Sequence, residues 1–190
     1  NDTSRQVHLI GVAEIHYWHG YDRLIKGLAN YYTTRPQYKV YFHIVGKFTA
    51  KREYEACIPI IKENQLDPYI ILHGPLYGEA LNCLFEQCDM GVGSLGRHRS
   101  GITNIKTLKN REYAARGIPF IYSEIDEDFE DMPYILKIPA NEDAVDVQQI
   151  INFYNHTNST PTKIRESIKH LSWNEQMNKV IEAISPMNKI

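Results

Sequence analysis

The strongest constraint on the fold of this chain is an alternation. Short runs of apolar, often β-branched residues take turns with segments of about a dozen residues whose apolar positions recur at helical spacing. Val7 to Ala13 reads as a buried strand, and Tyr21 to Tyr32 follows with Leu24, Ile25, Leu28 and Tyr32 on one helical face. Val40 to Val45, closed by Gly46, and Lys51 to Glu63, with Tyr54, Cys57, Ile58 and Ile61 in phase, repeat the pair. Tyr69 to Leu72 is a third strand, ahead of a stripe of Ala80, Leu81, Leu84, Phe85 and Cys88. Met90 to Leu95 and Ile118 to Tyr122 are strands flanking a helix that Gly117 ends and Pro119 keeps from continuing; Tyr134 to Ile138 is the last strand. Three helices follow. Asn141 can cap one that carries Val147, Ile150, Ile151 and Tyr154, and Thr160 with Pro161 opens the next. Ser172 and Glu175 form a capping box for a last helix displaying Trp173, Met177, Val180, Ile181 and Ile184.

Strands separated by helices pair in parallel, and a parallel sheet is covered on both faces. The expected fold is therefore α/β, a Rossmann-like parallel sheet with helices on both faces, spanning 1–190 as a single domain. A chain of 190 residues buries roughly 70% of the surface its unfolded form exposes and is too short for two domains of ordinary size. It starts at Asn1 without an initiator Met and enters a strand within a few residues, as if cut from a longer polypeptide. Such sheets bind ligands beyond the carboxyl ends of their strands. Loops starting near Val12, Gly46, His73, Gly96 and Ser123 are where chemistry is expected.

Composition narrows the function classes. Hydrophobic residues make up 43% and charged residues 23%, and the formal net charge is -2. Attraction of the whole chain to nucleic acid or anionic lipid is not expected. No apolar run approaches the roughly 18 residues of a membrane span, and no signal sequence leads the fold, so a cytoplasmic location is expected. Cys57, Cys83 and Cys88 lack the spacing of a zinc or redox site and read as packing thiols.

The near-neutral total conceals two opposed segments. Arg97, Arg99, Lys106, Lys109, Arg111 and Arg116 lie between Gly96 and Arg116 with Glu112 as the sole acid, and Glu124, Asp126, Glu127, Asp128, Glu130 and Asp131 follow. The acidic run reads as solvated surface. The basic segment leads into a helix start near Thr107, where free N–H groups and the helix dipole favour an anion such as phosphate. Glu112 falls in phase with Leu108 and Ala115, so it is expected on an apolar face and in need of a partner. Two readings stand: a structural pair with a buried Arg or backbone N–H groups, or a carboxylate facing the two adjacent hydroxyls of a ribose.

Leu108-Lys109-Asn110-Arg111-Glu112-Tyr113-Ala114-Ala115-Arg116-Gly117-Ile118-Pro119-Phe120-Ile121 resembles the LKxxEYxAxGxPxI signature of glycosyl transferases group 1. His19 to Ile25 resembles the early KGxDxLI segment, Phe42 to Gly46 the strand before the donor site, and Ser172-Trp173-Asn174 the SWE-like opening of the last helix. The likeness spans nearly the whole chain. It implies one half of a GT-B fold, the carboxyl-terminal half that binds the nucleotide sugar, with an amino-terminal acceptor domain missing. The implied activity is metal-independent, retaining glycosyl transfer from a UDP- or GDP-linked sugar to a glycan or lipid-linked acceptor, as in polysaccharide biosynthesis. No cofactor, metal or nucleic-acid partner is implied, and the full-length protein would associate peripherally with the inner face of the membrane. By the same resemblance Glu112 matches the ribose carboxylate, Thr107 and Leu108 the helix start that holds the diphosphate, and Asn104 the position of a Glu near the sugar hydroxyls. The Arg expected after the first strand falls near Val12, and the Lys of KG is His19. Arg97, Arg99 or Lys47 would then supply the missing positive charge; that substitution is inferred from the local sequence, not from the family pattern.

Other patterns compete. Gly91 to Gly96 satisfies GxGxxG, but the polar run Arg97 to Gly101 stands where a dinucleotide site needs a helix, which argues against an oxidoreductase. Asp126-Glu127-Asp128 satisfies a metal-binding DxD within a run of acids where chance supplies it. His16, His19 and Glu14 lack a clear further metal ligand. Because Asn104 and Val12 replace expected polar residues, a non-catalytic nucleotide-binding or partner-docking module is the alternative function.

Overall fold

In a computed structural model describing residues 5–184, six strands form one parallel sheet. The strands are β1 (Gln6–Val12), β2 (Lys39–Val45), β3 (Ile70–Gly74), β4 (Met90–Val92), β5 (Phe120–Tyr122) and β6 (Ile135–Lys137). The helices are α1 (Tyr21–Thr33), α2 (Lys51–Glu63), α3 (Gly78–Glu86), α4 (Leu108–Arg116), α5 (Val147–His156), α6 (Pro161–Ser167) and α7 (Trp173–Ile184). The order across the sheet is β3-β2-β1-β4-β5-β6, with every neighbouring pair parallel. The chain runs outward from β1 to β3, then returns to β4 on the other side of β1. That reversal makes the carboxyl ends of β1 and β4 the switch point of the sheet.

The period-two alternation of the central strands sorts the core into two layers. Leu9, Phe42, Ile44 and Val92 face α1, α2 and α5 through Leu24, Leu28, Cys57, Ile61, Ile150 and Ile151. Ile10, Val45, Phe120 and Tyr122 face α3, α4 and α6 through Phe85, Tyr113 and Ile164. Helices cover both faces, as the alternation requires.

Two boundaries differ from expectation. β4 stops at Val92 instead of reaching Leu95, because the segment after it leaves the sheet to join the loop after β1. Leu95 N donates to His19 O at 2.8 Å and Gly96 N to Trp18 O at 3.1 Å, which zips the two switch-point loops together. Gly20 allows this: it sits at φ +63, and a Cβ there would lie 2.6 Å from the Gly96 backbone. The cap of α5 is Asp146, which accepts from Gln148 N and Gln149 N, and not Asn141. The Asn141 side-chain oxygen Oδ1 instead accepts from Nη2 of Arg23 at 2.9 Å. Arg23 is 1% exposed and also donates to the Leu95 and Asp143 carbonyls, so its charge is absorbed by the loops it ties down. On α7, Met177, Val180 and Ile181 are exposed; the side chains of Trp173 and Ile184 lie outside the described set.

Candidate functional site

Of the polar residues singled out by the sequence, Thr107 and Leu108 mark the start of α4. Thr107 is the N-cap of α4, buried, with Oγ1 accepting from Asn110 N at 3.4 Å. The N–H groups of Leu108 and Lys109, the first two of the helix, have no intrahelical acceptor, so the positive end of the dipole is open there. Leu108 is 84% exposed, consistent with a position at a rim and not in a core.

The basic and acidic segments neutralise each other in part, through Arg111 and Lys106. Arg111 pairs with Asp126 at 3.1 Å and with Asp128, and Lys106 pairs with Asp128 at 2.9 Å. The acidic run is therefore not simply solvated surface: Glu124 and Asp126 are buried, and the run is the counter-charge of α4. These contacts also occupy the DxD carboxylates. Among the described residues no group of three or more His, Cys, Asp or Glu side chains is placed to hold a metal ion.

Arg99 has a structural task. Nε reaches Glu142, and the two terminal nitrogens reach Asp22, Glu142 and the Tyr17 carbonyl, so all five of its N–H donors are engaged. Arg99 and then His98 hold the Glu142 carboxyl down to about 2. Burial alone would raise Asp22, but the hydrogen bonds and charges of Arg99 and Lys26 outweigh it and keep its carboxyl low. Arg99 is thus a clamp between the loop after β4, α1 and the segment before α5, which leaves no N–H donor for the diphosphate expected of it.

Two cations of the segment remain without an ion pair among the described residues, Lys109 and Arg97. Lys109 reaches from the first turn of α4 across to α1, with Nζ 3.5 Å from the Tyr21 hydroxyl and 5.6 Å from the centre of its ring. Arg97 lies over the Trp18 ring at 5.5 Å, and its buried Nε has no hydrogen-bond partner. Burial pushes the Lys109 ammonium down to about 7, Arg97 adds to that shift and Glu124 opposes it. The neighbouring His19 imidazole is pushed down to about 2, by burial first and then by the positive charges of Lys109 and Arg97. The positive charges of Lys109 and Arg97 add to what burial does at His19, and an anion between them would relieve that part of the shift. Sequence reasoning missed Lys109; its place in the first turn of a helix opening at the switch point was the available signal.

Glu112 is not where its phase suggested. The buried face of α4 is Asn110, Tyr113 and Ala114, and Glu112 is on the exposed side, paired with Arg116 at 3.0 Å one turn on. The shift follows from Tyr113, whose ring fills the space above Gly91 and whose hydroxyl donates to Val92 O at 2.9 Å; this fixes the rotation of the helix. Arg116 in turn touches Asn82 and lies 3.8 Å from the Phe85 ring centre, both on α3. Asn104 is exposed, bridged to Ile125, with its amide 3.4 Å from Glu127. Lys47 is exposed, 3.9 Å from Glu14, and lines a cleft of about 210 Å³ with Val12, Gly46, Pro75 and Tyr77 beyond β1, β2 and β3. The glycines of GxGxxG are packing positions: Gly91 lies under Tyr113, Gly93 under Asn110 and Gly96 against Gly20.

No family model matches the sequence, and no curated protein sequence matches it. Solved structures do match in fold. The pneumococcal O-GlcNAc transferase GtfA, solved with UDP and GlcNAc, superposes with a TM-score of 0.65 at 17% identity over 100% of this chain and 38% of its own. Sucrose-phosphate synthase from Thermosynechococcus elongatus gives 0.68 at 16% identity, covering 99% of this chain and 47% of its own. The carboxyl-terminal domain of the glycosyl transferase group 1 protein LpcC from Francisella tularensis gives 0.51 at 19% identity over 93% of this chain and 86% of that domain. This chain has the Rossmann-like fold of a GT-B glycosyltransferase domain, and it spans less than half the length of the first two enzymes.

Proposed function

We propose that a chain with this fold and this site is the donor-binding half of a metal-independent, retaining glycosyltransferase. It takes a nucleoside diphosphate sugar and works with a second domain that brings a glycan or lipid-linked acceptor. The observation that carries the reading is the pair Lys109 and Arg97. They are two cations without ion pairs among the described residues, at the amino end of α4 and at the switch point, in a segment whose other basic residues are all paired. The nucleotide-sugar chemistry of GtfA, solved with UDP and GlcNAc, supports the same choice of ligand.

In this reading the diphosphate lies against the N–H groups of Leu108 and Lys109, with the Lys109 ammonium and the Arg97 guanidinium on its oxygens. Negative charge grows on the diphosphate as the bond to the sugar breaks, and groups already aimed at it stabilise that charge without reorganising. Glu112 accepts from the ribose hydroxyls, one helical turn from Lys109. Arg116 stays as its partner when the site is empty. Lys47 borders the cleft on the nucleoside side. No general base is assigned to this half.

The test is thermal shift and calorimetric titration of the chain with UDP, GDP, ADP and dinucleotides, with and without magnesium or EDTA. At ligand a hundredfold above its dissociation constant, binding adds about 2.7 kcal/mol, and the midpoint rises by about 5 to 11 °C for a chain of this size. Midpoints unmoved by every nucleotide at millimolar concentration would refute the donor reading. Affinity abolished by EDTA and restored by manganese would move the site to metal-dependent chemistry. The exposed Asn104, engaged with Glu127, favours a second reading, a nucleotide-binding module without transfer, which predicts binding of UDP with no gain from any attached sugar.

A further inference from the structure

Glu124 is out of place in a site built for a phosphate alone. It lies two residues after the end of β5 and is 2% exposed. Oε1 accepts from the Asn110 amide at 3.3 Å, and Oε2 is buried with no hydrogen-bond partner. Its charge is felt by both Lys109 and Arg97, yet it pairs with neither within 4 Å among the described residues. So placed, the carboxylate offsets those cations only from a distance and does not welcome an anion between them. The protein also holds it still: Lys137 Nζ donates to the Glu124 carbonyl and pairs with Glu130 at 2.7 Å, while Ser123 N donates to Ser94 O at 2.9 Å. A rigidly mounted acceptor with a free oxygen asks for a hydroxyl donor, and its position beside two free cations asks that this donor belong to the same molecule as the anion.

We propose that Glu124 recognises a hydroxyl of the sugar carried by the nucleoside diphosphate, and so makes this site favour the sugar donor over the bare nucleotide. The inference rests on the donor-site reading. Asn104, bridged by its backbone to Ile125 next to Glu124, is exposed and spends its side-chain amide on Glu127 instead. A carboxylate from the segment after β5 does what the residue before α4 does not.

The experiment compares each nucleotide with its own sugar conjugates: UDP against UDP-glucose and UDP-N-acetylglucosamine, and GDP against GDP-mannose. Each is titrated into the wild-type chain, Glu124→Gln and Glu124→Asp, with the thermal midpoint of each protein recorded. Glu124→Gln keeps the volume but turns one acceptor oxygen into a donor. It is expected to bind the bare nucleotide as tightly as wild type or a few-fold tighter, since one repelling charge is gone, and to bind the sugar conjugate about tenfold or more weakly. Glu124→Asp keeps the charge, withdraws it by one methylene and falls between the two. A loss shared equally by nucleotide and conjugate, or a loss in neither, overturns the assignment, as does a wild-type chain that gains nothing from any attached sugar. A wild-type chain that binds no nucleotide at all takes down the donor-site reading first.

Discussion

Lys109 carries a charge that the fold does not use. Its ammonium is held near 7 in the folded chain, against about 10.4 for an ordinary lysine, so between those values the unfolded chain binds more protons than the folded one. Stability therefore rises with pH across that window, and below about 7 the full cost is present. Lys109→Met is expected to raise the midpoint at pH 7 by about 2 to 4 °C, on the order of 1 kcal/mol, while nucleotide affinity falls at least about tenfold. Calorimetry and melting curves on the same protein check both, and a lysine needed for structure would lower the midpoint instead. The binding of a diphosphate diester should also weaken as pH rises from 7 to 9, because the cation it needs is being lost. Glu112 belongs to the same scale. Its ion pair with Arg116 is exposed and worth about 0.3 to 0.5 kcal/mol, so Glu112→Gln should shift the midpoint by no more than about 2 °C. Nucleotide affinity should drop about tenfold or more, and an unchanged affinity would remove Glu112 from the ribose.

Among elements, the segment Gly93 to Gly101 does the most, since it leaves β4, crosses the switch point and returns two arginines with opposite assignments. Arg99 is locked to Asp22 and Glu142 and joins three parts of the chain; Arg97 lies over the Trp18 ring, within electrostatic reach of Lys109 and Glu124. Arg99→Gln leaves the mostly buried Asp22 without its main partner and should cost about 2 kcal/mol, a fall of roughly 4 to 8 °C, with nucleotide affinity little changed. Arg97→Gln should reverse the ordering, with affinity reduced and the midpoint nearly constant. A titration and a melt for each variant suffice, and a larger loss of affinity in Arg99→Gln than in Arg97→Gln would exchange their roles. The sequence placed both in a basic stretch before a helix but had no means of ranking them. The difference is set by Asp22 on α1 and Glu142 before α5, 77 and 43 residues away.

On the scale of the whole molecule, three strands share a row of histidines. His8 of β1, His43 of β2 and His73 of β3 are joined ring to ring, each nitrogen pair at 2.9 Å, and burial first, then His8 and His73, push the His43 imidazole down to about 4. Between that value and the ordinary 6.5 the unfolded chain takes up a proton that the folded chain refuses, so stability falls as pH drops through the window. His43 contributes up to about 1.4 kcal/mol per pH unit, and His19, whose value is lower still, acts in the same direction. The midpoint should therefore fall between pH 6.5 and pH 4.5, and His43→Gln should flatten that slope; an identical slope in the variant would assign the acid sensitivity elsewhere. No helix among the described residues is long and apolar enough to cross a membrane. Alternating strand and helix periods were enough to determine, from the sequence, a parallel sheet covered on both faces, because periodicity and helix punctuation are local properties. Thr107 as the start of α4 was legible for the same reason, as an oxygen-bearing residue before a helical run. The rotation of α4 was not, because the fit of Tyr113 over Gly91 chose it, and that choice turned Glu112 outward and Lys109 across the sheet end. Nor was it legible which charges stay unpaired, since a cation is free or neutralised according to neighbours that only the folded chain brings within a few ångströms.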